Sequence, residues 1–166
     1  MSAVLLTTER LALVLESTAD VLARIAAMSP EDQAEVSPDW LARLRAAPAP
    51  SVWTHGVTLL ERATGAAVGS AAFKGPPDAA GVAEIAYGLA PECRGRGYAR
   101  EAVLALSRYA LTEGGARRVR AHTRAENAAS AHVLAACGFT YLGDVVDLDD
   151  GLVQRWELRP GPPASA

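Results

Sequence analysis

Ala83-Glu84-Ile85-Ala86-Tyr87-Gly88-Leu89-Ala90-Pro91-Glu92-Cys93-Arg94-Gly95-Arg96-Gly97-Tyr98-Ala99-Arg100-Glu101 is the stretch that decides how this chain of 166 residues folds. It reads as an apolar strand, a glycine-rich turn and the opening of a helix. The helix runs to about Glu113, because Ala102, Val103, Leu106, Tyr109 and Ala110 recur in steps of three and four before Gly114-Gly115 ends it. The first amides of a helix have no intrahelical partners and carry the positive end of its dipole. Glycines at 95 and 97 remove the Cβ atoms that would hold an anion away from that backbone, and Arg94, Arg96 and Arg100 add positive charge. The turn is therefore either a phosphate-type site or a tight turn ringed by solvated arginines. No Gly-Lys-Ser/Thr follows it, which excludes a P-loop, and its Gly-x-Gly-x-x-Arg pattern is not the dinucleotide fingerprint.

Upstream, Val52–Glu61, Ala67–Phe73 and Val82–Leu89 read as strands joined by short loops, so they are expected as antiparallel neighbours. Before them come a strand at Leu11–Leu15, a helix over Thr18–Met28 capped by Thr18 and ended by Ser29-Pro30, and a short helix opened by Ser37-Pro38. Downstream lie a strand at Arg118–Thr123 and a helix from Asn127 to Cys137 closed by Gly138. Two last strands, Phe139–Val146 and Leu152–Leu158, flank the turn Asp149-Asp150-Gly151. The crossover through the long helix should make Val82–Leu89 and Arg118–Thr123 parallel. The expected fold is mixed α+β: a seven-stranded, mostly antiparallel sheet, parallel only between its fourth and fifth strands, with about four flanking helices. One domain is expected over residues 1–159, with 160–166 as a flexible tail.

Composition narrows the function classes. Half the residues are hydrophobic and 21% are charged, an ordinary globular balance. A net charge of −3 argues against non-specific nucleic-acid binding. No apolar run approaches the roughly 20 residues of a membrane span, and no basic leader precedes one. The two cysteines, Cys93 and Cys137, form neither a disulfide framework nor a redox pair. His55 and His122 show no zinc spacing. A cytoplasmic protein without metal, nucleic-acid or membrane partners is expected.

These motifs together resemble the GNAT superfamily of N-acetyltransferases, and within it the RimJ/RimL-type branch. The family signature, Arg/Gln-x-x-Gly-x-Gly/Ala at a helix start, is similar to Arg94-Gly95-Arg96-Gly97-Tyr98-Ala99. Glu84 to Pro91 before it and Glu101-Ala102-Val103 after it also resemble the branch. So do Asn127-Ala128-Ala129-Ser130 and Cys137-Gly138-Phe139, and the order of elements agrees from about Thr8 to Leu158.

The resemblance implies that the parallel strands splay and admit acetyl-CoA. Its pyrophosphate would rest on Arg94, Gly95, Arg96, Gly97, Tyr98 and Ala99, mainly through main-chain amides. Its pantetheine arm would lie along Gly88, Leu89 and Ala90, opposite Asn127 and Ser130. Glu84, set among apolar neighbours, is the candidate general base; a solvated carboxylate, or one that only attracts the amine, is the alternative. Many relatives carry a tyrosine seven residues after the helix-opening asparagine as general acid. Here that position is Leu134, so Ser130 is the candidate in its place, ahead of Tyr141. His132 reads as a surface residue and Cys93 as incidental.

The acceptor would be an amine-bearing small molecule or a protein N-terminus. Acidic residues Asp144, Asp147, Asp149 and Asp150 could attract it, and Trp40 and Trp53 could line its cleft. A homodimer is compatible with the branch. A non-catalytic acyl-CoA-binding or regulatory module of the same fold is the competing reading.

Overall fold

The computed structural model describes residues 3–148 and 150–161. The chain forms β1 (Ala3–Thr7), β2 (Leu11–Leu15), α1 (Thr18–Ala26), α2 (Pro30–Ala34) and α3 (Pro38–Ala46). It continues with β3 (Val57–Glu61), β4 (Ala67–Phe73), β5 (Val82–Leu89), α4 (Tyr98–Leu111), β6 (Arg118–Thr123), α5 (Ala128–Ala136), β7 (Thr140–Asp147) and β8 (Gly151–Leu158). The strands make one sheet in the order β1-β2-β3-β4-β5-β6-β8-β7. None of the described helices is long and apolar enough to cross a membrane.

Among the described residues the sheet has eight strands rather than seven, five α-helices accompany it rather than four, and the parallel pair is fifth and sixth in chain order. The extra strand is β1, an edge strand whose pairing with β2 slips between Val4 and Leu6. That slip breaks the alternation by which a strand is read. The extra helix is α2. Ser29-Pro30 does not only end α1 but opens the next turn, with the Ser29 hydroxyl accepting from Asp32 N and Pro30 at the first helical position. The cap of α1 is Ser17, not Thr18. Thr18 instead pairs its hydroxyl with His55 Nε2 at 2.8 Å. His55 is buried, and that burial pulls its pKa down, so it packs as a neutral ring. The strand expected from Val52 begins only at Val57, because His55 N folds back to Ser51 O. Gly56 then takes φ +79, where a Cβ would stand 2.9 Å from Ala71 O.

The expected antiparallel run β3-β4-β5 forms as read. One core joins α4 to the sheet: Tyr98, Ala102, Val103, Leu106 and Ala110 pack in the same cluster as Leu11, Leu13, Leu59, Phe73, Ile85 and Val119. The helix thus lies across the strands that carry the glycine-rich turn, and the core sets where that turn points. Leu106 is fully buried at its centre. Leu106→Ala should lower unfolding free energy by about 3 kcal/mol, through lost transfer energy and a residual cavity, as read by urea denaturation.

The sheet is joined along only part of its β5–β6 seam. β5 and β6 pair in parallel only from Val82↔Arg118 to Glu84↔Arg120. Beyond that point β5 stays on β4 as far as Leu89, while β6 stays on β8 as far as Thr123. Glu157 of β8, buried and held by Arg120 at 2.6 and 2.8 Å, ties β6 to its outer neighbour. The two strands therefore part just after Glu84.

Candidate active site

The turn after β5 has the anion-site geometry. Gly95 and Gly97 take φ +76 and +85, in the left-handed region. Gly97 is the N-cap of α4 and offers no side chain to its first amides. A Cβ on Gly95 would have nothing within 4 Å. Tyr98 contributes main chain only, since its ring is buried in the core and its hydroxyl donates to Glu61 Oε2 at 2.8 Å. Arg94, Arg96 and Arg100 are exposed around the turn.

A fourth arginine, not anticipated from the sequence, stands over it. The Arg10 guanidinium sits 4.5 Å from the Tyr98 ring centroid and donates to Arg96 O at 2.8 Å. Its Nη2 would lie 3.1 Å from a Cβ on Gly97. Glu101, the first-turn acid of α4, is occupied by the main chain and side chain of Arg10 and by the Thr8 hydroxyl. Burial pushes the Glu101 carboxyl up, but those bonds outweigh it and hold it below its usual range. The turn is thus clamped to the β1–β2 loop while its amides stay open.

Where β5 and β6 part, a cleft of about 230 Å³ opens. Ile85, Ala86 and Tyr87 form one wall, His122 and Thr123 another, and Asn127, Ser130 and Asp150 border it. A larger groove, about 460 Å³, runs between the β1–β2 loop and α4, but it shares no residue with this cleft or with Glu84. Chemistry rather than size selects the cleft.

Main-chain direction along β5 follows from two bonds. Lys74 N donates to Glu84 O and Ala90 N donates to Val68 O, both at 2.9 Å. In an antiparallel ladder the two main-chain groups of one residue face the same neighbour, and alternate residues face opposite ways. Residues 84, 86, 88 and 90 thus spend their groups on β4, and 85, 87 and 89 turn theirs to the gap. Of Gly88, Leu89 and Ala90, only Leu89 turns its main-chain groups to the gap, as Tyr87 does. Gly88 contributes space instead: a Cβ there would meet nothing within 4 Å.

The α5 wall is organised by its cap. Asn127 Oδ1 accepts from Ser130 N at 3.1 Å, which leaves the Asn127 amide NH₂ at the cleft edge. Ser130 Oγ lies 2.8 Å from the Tyr87 hydroxyl, which also donates to Ser130 O at 3.3 Å. Burial pushes the Tyr87 phenol up, partly opposed by the Ser130 bond, so it stays protonated at neutral pH. Leu134 is fully buried in the core. His132 is exposed, and Tyr141 gives its hydroxyl to Asp144 at 2.5 Å. Cys137 is buried, which pushes its thiol up.

Glu84 stands at the foot of the splay, on the sheet face opposite Ile85 and Tyr87. Its Oε2 lies 2.7 Å from Lys74 Nζ, and its Oε1 lies 3.3 Å from His122 Nδ1. Arg155 Nε donates to His122 Nε2 at 3.1 Å. A guanidinium can only donate, so Nε2 is the acceptor and the neutral ring carries its proton on Nδ1. That Nδ1 has no hydrogen-bond partner of good geometry, although the side chain is only 4% exposed. Asp147 Oδ2 lies 3.9 Å from it, and Asp150 reaches Lys74 at 3.4 Å.

The expected acidic cluster therefore divides: Asp150 shares Lys74 with Glu84, Asp147 lies near His122, Asp144 is held by Tyr141, and Asp149 lies outside the described residues. Trp40 donates to Thr54 O at 2.8 Å, and Trp53 packs on Phe73 with centroids 4.8 Å apart. Neither lines the cleft.

Sequence reading missed Arg10, Tyr87, Lys74 and His122. Tyr87 and His122 alternate correctly along their strands, so strand period could have placed them on opposite sheet faces. No local pattern links Arg10 to a turn 86 residues away.

Residues 7–140 match the family described as Acetyltransferase (GNAT) domain. No curated protein sequence matches the chain. Several solved structures share its fold. RimL, a ribosomal L7/L12 alpha-N-protein acetyltransferase in complex with coenzyme A, is similar over 94% of this chain and 97% of its own, at 18% identity and TM-score 0.69. The spermidine N-acetyltransferase of Vibrio cholerae, in complex with CoA and spermine, covers 92% of this chain and 96% of its own, at 16% identity and TM-score 0.68. A GNAT-family acetyltransferase from Bacillus anthracis covers 96% and 98%, at 18% identity and TM-score 0.66.

Proposed function

The chain belongs to the acetyltransferase (GNAT) domain family, and from that premise we propose that it moves the acetyl group of acetyl-CoA to a primary amine by direct attack, as a member of the RimJ/RimL-type branch. The observation that carries this reading is the coincidence of two features. Strand pairing stops at Glu84↔Arg120, and a glycine-led helix start with no side-chain cap follows β5.

The residues present fit the donor. The open amides from Gly95 to Ala99 would take its diphosphate, with Arg94 and Arg96 beside them. The gap-facing main chain of Tyr87 and Leu89 would pair with the pantetheine arm, and the Asn127 amide and Ser130 would close the other side. Acetyl-CoA supplies the activated acyl group. Glu84 accepts a proton from the incoming ammonium, which is otherwise mostly protonated at pH 7. A gap-facing N–H of β5, from Tyr87 or Leu89, is the available donor to negative charge growing on the carbonyl oxygen. The Ser130–Tyr87 hydroxyl pair donates toward the leaving sulfur, in the role that Leu134 has no group to play.

Release of CoA thiol, followed with a panel of primary amines and N-terminal peptides, tests the proposal. Tight acetyl-CoA binding with no turnover on any acceptor would instead favour a non-catalytic acyl-CoA-binding module. Within an active enzyme, Ser130→Ala and Tyr87→Phe should each lower kcat by about 100-fold while leaving the KM for acetyl-CoA near that of the parent. If the two act as one relay, the double variant should lose little more than either single one.

A further inference from the structure

Among the 16 lysine and arginine side chains of this protein, Lys74 is the one lysine. It lies just past β4 with its Nζ 2.7 Å from Glu84 Oε2 and 3.4 Å from Asp150 Oδ2. Its side chain is 43% exposed, and Asp150 borders the β5–β6 cleft. The chain's one side-chain primary amine thus rests on the carboxylate assigned to take a proton from the acceptor. A second feature marks the same spot: His122, its side chain almost wholly buried, sets its Nδ1 3.3 Å from Glu84 Oε1 without a hydrogen bond of good geometry.

We propose that Lys74 is a self-acetylation site, its Nζ standing in for the acceptor amine beside Glu84 and receiving the acetyl group when no external amine is bound. The inference rests on the acetyl-CoA transfer proposed above. The ammonium gives one proton to the Glu84 carboxylate. The freed Nζ lone pair forms the N–C bond to the acetyl carbonyl, and the C–S bond breaks with its electrons on sulfur. The second nitrogen proton reaches that sulfur through the Ser130–Tyr87 hydroxyls or solvent. The products are Nε-acetyl-Lys74 and CoA thiol, with nothing oxidised or reduced.

Acetyl-lysine carries no charge, so the product cannot hold Glu84 and Asp150. Modification would release both carboxylates to face an external cation. The charged and titratable groups around Lys74 are Glu84 from β5, Asp150 from the β7–β8 turn, His122 from β6 and Asp147 from β7, with Arg155 of β8 behind His122. Burial pulls the Lys74 ammonium down, but the bonds and charges of Glu84 and Asp150 outweigh it and leave the pKa raised. The reactive free amine is therefore scarce at neutral pH, and its fraction grows about tenfold per pH unit below that pKa.

The test incubates the full chain with acetyl-CoA and no added amine, and reads intact mass and a peptide map. The expected result is one acetyl group on Lys74, accumulating faster as pH rises from 7 to 9. Lys74→Arg, which keeps the cation but not the nucleophile, should lose it. Glu84→Gln, an isosteric change, should slow it at least tenfold, and urea-unfolded protein should show only the slow background. Equal rates in the parent, Glu84→Gln and unfolded protein would overturn the proposal, because simple chemical acylation would then account for the mark. If added amines release CoA thiol but Lys74 stays unmodified, self-acetylation is overturned and amine transfer stands. If acetyl-CoA binds and neither reaction occurs, the transfer reading fails and this inference fails with it.

Discussion

Gly97→Val is expected to raise the Kd for coenzyme A by more than about tenfold, some 1.4 kcal/mol or more. Gly97 caps α4 with φ +85, and the amides after it have no side-chain partner. A valine there places branched carbon over those amides, and its Cβ would also stand 3.1 Å from Arg10 Nη2, the group that closes the turn from above. A non-glycine residue at that φ also strains the folded backbone, by about 1–2 kcal/mol. Stability loss could therefore be mistaken for binding loss.

Gly115→Val separates the two. Gly115 has φ +72 at the far end of α4, and a Cβ there meets nothing within 4 Å. It should lower Tm much as Gly97→Val does, yet bind coenzyme A like the parent. Arg94→Ala should weaken binding less than Gly97→Val, because it removes one exposed charge and leaves the amides in place. Calorimetric titration of folded protein gives each Kd. Parent-like affinity in Gly97→Val would remove the turn from the binding site.

The second large effect is at Glu84. Glu84→Gln should lower kcat about 10²- to 10³-fold at neutral pH while leaving the KM for acetyl-CoA unchanged. The amide keeps the shape of the carboxylate but cannot take the proton. It also weakens the hold on Lys74; a half-exposed ion pair of this kind contributes about 0–1 kcal/mol, so the variant should fold. If the carboxylate only attracts the acceptor, the result differs in kind: acceptor KM rises and kcat is kept. Steady-state kinetics with the acceptor and acetyl-CoA varied in turn separates the outcomes.

Much of the frame was legible because it is written in local chemistry. Three strands joined by short loops, the α4 stripe ended by Gly114-Gly115, and a helix from Asn127 closed by Gly138 follow from turn residues, helical period and glycine stops. These depend on residues within a few positions of one another. Misreadings arose where local signals coincide. Ser29-Pro30 both stops one helix and starts the next, and Ser17 and Thr18 are adjacent candidates for a single cap. β1 was hidden by its bulge, and the start of β3 by a tight turn at Ser51 to His55.

The sequence by itself determined the glycine-led helix start and the strand before it, since left-handed backbone and unpartnered amides are properties of the residues that adopt them. The tertiary structure decided which side chains meet there. Arg10 covers the turn from 86 residues before Arg96, Ser130 finds Tyr87 across 43, and Asp150 reaches Lys74 across 76. The proton on His122 is placed by Arg155, 33 residues later. Those meetings follow from the sheet order β4-β5-β6-β8 and from the parting of β5 and β6 after Glu84. Strand order is set by how the whole core packs, and no periodicity within a single strand encodes its neighbour.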